Sequence, residues 1–127
     1  KNFSLLYRQA VPELAPLYDC LCTAAHADLS QQMAMKIGSK YAFDEVWPCH
    51  WQQLAKDAGL SPAQTRKRVA VIARELPDAA RSLASEAGKG FIGRPIVGRI
   101  VAIIEARCAM TLRRMDGAPS PASGGDA

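Results

Sequence analysis

The chain has 127 residues, is 49 % hydrophobic and carries a formal net charge of +4, which is one domain's worth of sequence with enough apolar content for a core. No run of about 18 apolar residues occurs, so a membrane-spanning helix is excluded. Cys20, Cys22, Cys49 and Cys108 are scattered, which suits reduced thiols in a cytosolic protein better than a disulfide frame.

The first element is a β-hairpin. Phe3, Leu5 and Tyr7 alternate with Ser4, Leu6 and Arg8, the period-two pattern of a half-buried strand. Arg8 to Glu13 reads as the connection, with Pro12 kept out of the ladder, and Leu14 to Leu17 as the return strand. A two-stranded hairpin is marginal alone, so Phe3, Leu5, Leu14 and Leu17 are expected to pack on the rest of the domain. Asn2 and Asp19 stand 17 residues apart, at the two ends of this unit. Kinase-like folds hold Mg²⁺-ATP with an Asn that closes the catalytic loop and an Asp after the next hairpin. Mg²⁺ takes hard oxygen ligands, of which one or two come from protein, and Asn2 and Asp19 are the right types.

Further along, Gly38-Ser39 reads as a turn, and Met33 to Ile37 fits either a strand or the end of a helix from Asp28. The residue before a proline avoids the helical region while proline suits a first helical turn. Trp47-Pro48 therefore opens a short helix, about Pro48 to Ala58, stopped by Gly59 as a left-handed cap. Ser61-Pro62-Ala63-Gln64 starts the next, with Ser61 as N-cap, Pro62 at N1 and Gln64 completing a capping box. Its expected buried stripe is Thr65, Val69, Ile72, Ala73 and Leu76. Pro77 is expected to kink or break it, with a continuation to Gly88 and a loop from Gly88 to Pro95. A final helix, about Pro95 to Met115, presents Val97, Ile100, Val101, Ile104, Cys108, Leu112 and Met115. Residues 117–127, rich in Pro, Ser, Gly and Ala, are expected to be a disordered tail.

Four segments carry a resemblance when taken together. Lys1 to Ser4 (Lys-Asn-Phe-Ser) and Leu14 to Asp19 (Leu-Ala-Pro-Leu-Tyr-Asp) come first. Met33 to Lys40 (Met-Ala-Met-Lys-Ile-Gly-Ser-Lys) and Asp44 to Trp51 (Asp-Glu-Val-Trp-Pro-Cys-His-Trp) follow. In this order and spacing they resemble the C-terminal region of the HipA family of bacterial serine/threonine kinases, the toxin halves of type II toxin–antitoxin pairs. That family has Asp-x-His-x-Lys-Asn-Phe-Ser, Leu-x-Pro-x-Tyr-Asp, Met-Ala-Met-Lys-Ile-Gly-Gly-Lys and Asp-Glu-Ile-x-Pro-x-His-Trp. Ser39 replaces a family Gly, and the resemblance covers roughly residues 1–88.

The resemblance implies a mainly α fold: residues 1–116 as the helical C-terminal lobe of a kinase-like fold with one small N-terminal β-hairpin. It implies Asn2 and Asp19 as metal ligands, Lys1 as a phosphate contact, and ATP and Mg²⁺ as the species bound by the complete protein. The family's catalytic Asp lies four residues before its Lys, so here it is expected before residue 1. With no base of its own, the isolated chain is expected to be inactive. A helix-turn-helix antitoxin and a protein substrate are the implied partners.

Two other readings compete. Cys20, Cys22, His26, Cys49 and His50 are zinc-ligand types, but structural pairs stand about two to four residues apart, whereas Cys20 and Cys22 have one residue between them and Cys49 and His50 are adjacent. His50 reads better as a helix-start histidine that packs beside Trp51 or hydrogen-bonds locally. Leu54 to Ser61 followed by a capped helix also has the rhythm of a stand-alone helix-turn-helix DNA- or protein-binding module, with Arg66, Lys67 and Arg68 on a reading helix. Against it, the positions that should be apolar after the turn hold Thr65 and Arg68.

Charge is uneven. Residues 1–60 carry five basic and six acidic side chains, net −1, and residues 61–127 eleven and six, net +5. The excess includes Arg66, Lys67, Arg68, Arg74, Arg81, Arg99, Arg107, Arg113 and Arg114. Lys67, Arg74 and Arg81, seven residues apart, would form a rail on one helix face. The bland reading is a solvated surface; the sharper one is a face for an acidic partner or for sequence-independent contacts with DNA phosphates.

Overall fold

The computed structural model describes residues 3–8, 11–86, 90 and 92–117. Strand β1 (Leu5–Arg8) and strand β2 (Val11–Leu14) form an antiparallel hairpin in which Leu5 faces Leu14, Leu6 faces Glu13, Tyr7 faces Pro12 and Arg8 faces Val11. The connection is therefore two residues, not the six expected from Arg8 to Glu13, and β2 begins at Val11 and ends at Leu14. Pro12 lies inside the ladder. Arg8 and Val11 flank the turn, so Tyr7 and Pro12 form the pair without mutual hydrogen bonds, where a missing N–H costs nothing. The Ala15 N–H donates to Ser4 O at 2.8 Å, as this alternation requires. Phe3, Leu5, Leu14 and Leu17 do not pack on the helices as expected; each is more than half exposed among the described residues.

Residues 15–47 are mostly irregular, with 3-10 turns at Thr23–Ala25 and Phe43–Glu45. Met33 to Ile37 is neither strand nor helix. Ile37 and Lys40 close a tight turn, each donating its N–H to the other's carbonyl at 2.9 and 3.1 Å. Gly38 occupies that turn at φ +59°, and a Cβ there would lie 2.8 Å from the carbonyl oxygen of His50. Glycine is thus needed twice over, for the left-handed backbone and for close approach to the first turn of helix α1.

Helix α1 (Pro48–Asp57) begins where Trp47-Pro48 predicts. His50 reaches back, its Nδ1 accepting the Trp47 N–H at 2.9 Å, which satisfies a donor the helix leaves open. Its end is a Schellman cap. Gly59 sits at φ +68°, its N–H donates to Lys56 O at 3.1 Å, and the Leu60 N–H donates to Ala55 O at 2.8 Å, satisfying the last carbonyls.

Helix α2 (Pro62–Ser85) starts on Ser61, whose hydroxyl accepts the Gln64 N–H at 3.4 Å. It runs unbroken through Pro77, so of the expected kink or break the break does not occur. Proline removes one helical hydrogen bond, the one to the Ala73 carbonyl, and packing along helix α3 (Pro95–Met115) holds the helix beyond it. Arg66 near the start of α2 donates to the Met115 carbonyl at the end of α3, and Arg81 pairs with Glu105, so the two helices are antiparallel.

The core lies where these helices meet the irregular segment: Ala25, Val46, Ala55, Ala73, Cys108 and Met115 are buried. Of the stripe expected on α2 only Ala73 is buried; Thr65 and Val69 are half-buried, and Ile72 and Leu76 are 46 % and 42 % exposed. The α3 stripe holds better, with Cys108 and Met115 buried and the others half-buried. The loop expected from Gly88 and the tail after Gly117 fall largely outside the described residues.

Three arginines of α3 fasten the irregular segment to the helices. Arg99 donates to Ala25 O at 3.0 Å. Arg107 lies over the Phe43 ring at 5.0 Å from its centroid. Arg114 donates to Val46 O at 2.7 Å and Asp44 O at 2.8 Å while its guanidinium lies 4.4 Å from the Trp47 ring centroid. They follow one another at intervals of eight and seven residues, a spacing that keeps them on one face of a helix.

Candidate metal and nucleotide site

The open end of the hairpin is where the two predicted metal ligands should meet. Ser4 Oγ and the Tyr18 hydroxyl share a hydrogen bond of 2.8 Å, tying the start of β1 to the segment that leaves β2. Asp19 follows directly and is exposed. Its φ of +54° makes it the one non-glycine residue with positive φ among the described residues. The left-handed region is uncommon for a side chain with Cβ, and Asp is among those that reach it most readily. Local ties hold the backbone there: the Leu21 N–H donates to Asp19 O at 3.1 Å, and Cys20 Sγ lies 3.7 Å from Tyr18 O. A non-glycine residue in a sparsely populated conformation is a feature that clusters at functional sites. The other two members of the predicted site, Lys1 and Asn2, lie outside the described residues.

As a donor, Asp19 offers a hard carboxylate on the surface, which fits the few protein ligands and many waters that Mg²⁺ prefers. His, Cys, Asp and Glu side chains do not gather in threes among the described residues. The four cysteines are free thiols; Cys108 is buried, and that burial pushes its thiol pKa up.

The five predicted partner-surface residues separate into two groups. Arg66 is drawn into the fold by the Met115 carbonyl. Arg81 is engaged by Glu105 and Asp78, and these hydrogen bonds raise the pKa of its guanidinium. The expected rail of Lys67, Arg74 and Arg81 therefore loses its third member. Lys67, Arg68 and Arg74 remain exposed, and no carboxylate among the described residues pairs with them. Lys67 and Arg74, with Arg66, border a depression of about 310 Å³ beside the end of α3. As a helix-turn-helix, α1 and α2 do turn on Gly59, and Arg68 at the doubtful position stays in solvent. Arg66 is no longer available to read a base.

Sequence reasoning missed the use made of Arg99, Arg107 and Arg114, counted only as surface charge. Their spacing on one helix face was a visible signal; the carbonyls they reach were not. His50 capping was foreseen as local hydrogen bonding. Burial, then nearby Lys40, lowers its pKa, opposed by Glu45, and Lys40 and Glu45 pair at 3.2 Å.

Comparison with known proteins bears on the family and the fold. Residues 1–81 match the family described as HipA-like C-terminal domain. Y4mE of Sinorhizobium fredii (strain NBRC 101917 / NGR234), named a kinase by inference, is 46 % identical over 69 residues, covering 54 % of this chain and 16 % of its own length. Among solved structures, the chain superposes on the Shewanella oneidensis MR-1 toxin–antitoxin complex of HipA, HipB and operator DNA. The TM-score is 0.73 at 21 % identity, over 91 % of this chain and 28 % of that one. The chain thus spans less than a third of either protein, and the second likeness is one of fold. The match to the family over most of its length, including both ends of the hairpin, shows that the chain belongs to the HipA-like C-terminal domain family.

Proposed function

We propose that this chain is the C-terminal lobe of an ATP-dependent protein serine/threonine kinase of the toxin–antitoxin type, and that Asp19 is one of its Mg²⁺ ligands. The observation that carries the reading is the strained Asp19 at the hairpin's open end, beside the Ser4–Tyr18 hydrogen bond. Family membership and the kinase name of the relative support it. Asn2 would supply the second protein ligand and Lys1 a phosphate contact. Bound Mg²⁺ offsets the charge of the ATP phosphates. The role of this lobe is positional: the left-handed backbone at residue 19 sets the direction of the Asp19 carboxylate at the hairpin's open end. A catalytic base is not supplied by these residues, so the chain by itself is inactive and works as part of a longer protein that phosphorylates a protein substrate in the cytoplasm.

In the same reading the partner is a helix-turn-helix antitoxin on DNA, as the solved HipA–HipB–operator complex suggests. Lys67, Arg68 and Arg74 add sequence-independent phosphate contacts. The test is Asp19→Ala in the longer kinase. Mg²⁺-dependent ATP turnover should be abolished with far-ultraviolet circular dichroism unchanged, and Asn2→Ala should weaken turnover. Normal turnover in Asp19→Ala removes the proposed ligand role.

A further inference from the structure

We propose that Ser4 and Tyr18 are positioning residues for Asp19, acting together through the hydrogen bond between their hydroxyls. This inference rests on the Mg²⁺-ligand reading of Asp19 and adds what keeps that carboxylate aimed in one direction.

Asp19 stands at φ +54°, a conformation that a residue with Cβ keeps only where its surroundings over-determine it. Relaxing to the right-handed region would turn the chain about the Asp19 N–Cα bond by about 120°. With the preceding peptide held, that turn swings Cβ and the carboxylate to another side of the backbone.

Two anchors bracket the residue. Upstream, the Ala15 N–H donates to Ser4 O at 2.8 Å, and Pro16 follows with no N–H to give. The hydroxyl pair reaches across beyond it. Ser4 Oγ lies 2.8 Å from the Tyr18 hydroxyl, which fixes the residue whose peptide carries the Asp19 nitrogen. Downstream, the Leu21 N–H donates to Asp19 O at 3.1 Å. The 3-10 turn Thr23–Ala25 is then seated on α3, with Ala25 buried and its carbonyl accepting from Arg99 at 3.0 Å. Held on both sides, residue 19 relaxes its φ only at the expense of one anchor.

The anchors differ in kind. The Arg99–Ala25 bond is partly buried and fastens the fold. The Ser4–Tyr18 bond is exposed, with Tyr18 46 % accessible. A surface hydroxyl finds water when its partner is lost, so such a bond adds little to folding. What it sets is direction.

The test uses the longer kinase and two readouts: Mn²⁺ binding with ATP present, followed by electron paramagnetic resonance, and the Mg²⁺ dependence of turnover. Mn²⁺ suits the same hard oxygen ligands as Mg²⁺. Tyr18→Phe and Ser4→Ala should each raise the half-saturating concentration of both ions about fivefold. The double variant should be no worse than either single one, because both changes remove the same hydrogen bond. Ser4→Thr keeps the hydroxyl and should restore the parent values, while KM for the protein substrate should not move. An unchanged metal requirement in Tyr18→Phe, or additive losses in the double variant, overturns the proposal. So does a lowered melting midpoint with normal Mn²⁺ binding, which would mark the pair as structural. If Asp19→Ala abolishes Mn²⁺ binding in any of these cases, the ligand reading stands without the positioning pair. Mn²⁺ binding by Asp19→Ala equal to the parent's removes both.

Discussion

Helices α2 and α3 both carry a dense set of cations, and they use them in opposite ways. On α3, Arg99, Arg107 and Arg114 turn inward to the carbonyls and rings of residues 25–47. On α2, Lys67, Arg68 and Arg74 stay in solvent without a carboxylate partner among the described residues. The difference lies in what passes beside each helix. An irregular segment lies against α3 and brings backbone carbonyls that no secondary structure satisfies, and a buried carbonyl left unpaired is costly. Among the described residues no such segment lies along the exposed face of α2. Net charge therefore says little about a surface until the demand for hydrogen bonds nearby is known.

The sharpest way to break this contrast is to compare neighbours on α3. Arg114→Ala removes two charge-assisted hydrogen bonds and a ring contact, leaves the buried Val46 without its partner, and should cost about 3 kcal/mol. Arg113→Ala, next to it but exposed, should change stability by no more than about 0.5 kcal/mol. Chemical denaturation of both variants checks the pair; equal effects would mean that the inward arginine is not a fastener. Arg114→Lys should recover only part of the loss, because a lysine cannot serve two carbonyls and a ring together.

Next in size is Gly38→Ala, which tests whether the irregular segment is seated on α1 as closely as described. A methyl group at φ +59°, 2.8 Å from the His50 carbonyl oxygen, should cost about 2 kcal/mol in the same assay. Ser39→Gly, which restores the residue of the resembled family in the same turn, should be nearly neutral.

A smaller effect should appear with pH. The Trp47 N–H donates to His50 Nδ1, which requires that nitrogen to be unprotonated. The folded pKa of His50 lies below its ordinary value of 6.5, so the unfolded chain takes up a proton first as pH falls. Stability is then fully present above pH 6.5 and is lost as pH falls from there through the lowered folded value. Denaturation midpoints between neutral pH and the upper carboxylate range should show this loss, and His50→Gln should flatten it while His26→Gln does not.

The smallest expected effect concerns the outward set on α2. If Lys67 and Arg74 meet DNA phosphates, each Ala substitution should reduce the slope of log affinity against log salt by about 0.9, equally on two unrelated duplexes. Arg81→Ala should leave the slope unchanged, because Glu105 and Asp78 already hold that side chain. A filter-binding titration at two salt concentrations separates the outcomes, and a preference for one duplex at high salt would favour base reading instead.

Much of the fold was legible because local chemistry dictates it. Ser61-Pro62, Gly59, Trp47-Pro48 and Pro95 set the helix ends through caps and backbone restrictions that act within a few residues. The four motif segments pointed to the family for a similar reason, since residue order and spacing survive without knowledge of packing. Pro12 was misjudged, and a break at Pro77 did not follow, because a proline's cost depends on whether its missing N–H faces a partner. That follows from hairpin register in one case and from packing along α3 in the other. Asp19 was readable as a residue type at a hairpin end, while its left-handed backbone was not.

By itself, then, the sequence determined the helices, the presence of a hairpin and the family, because caps, periodicity and motif spacing are local. Tertiary structure alone decided which charges face inward, that Ala73 alone of the α2 stripe is buried, and where a crevice remains. Those outcomes depend on carbonyls and ring faces that lie 49 to 74 residues away along the chain from the arginines that reach them.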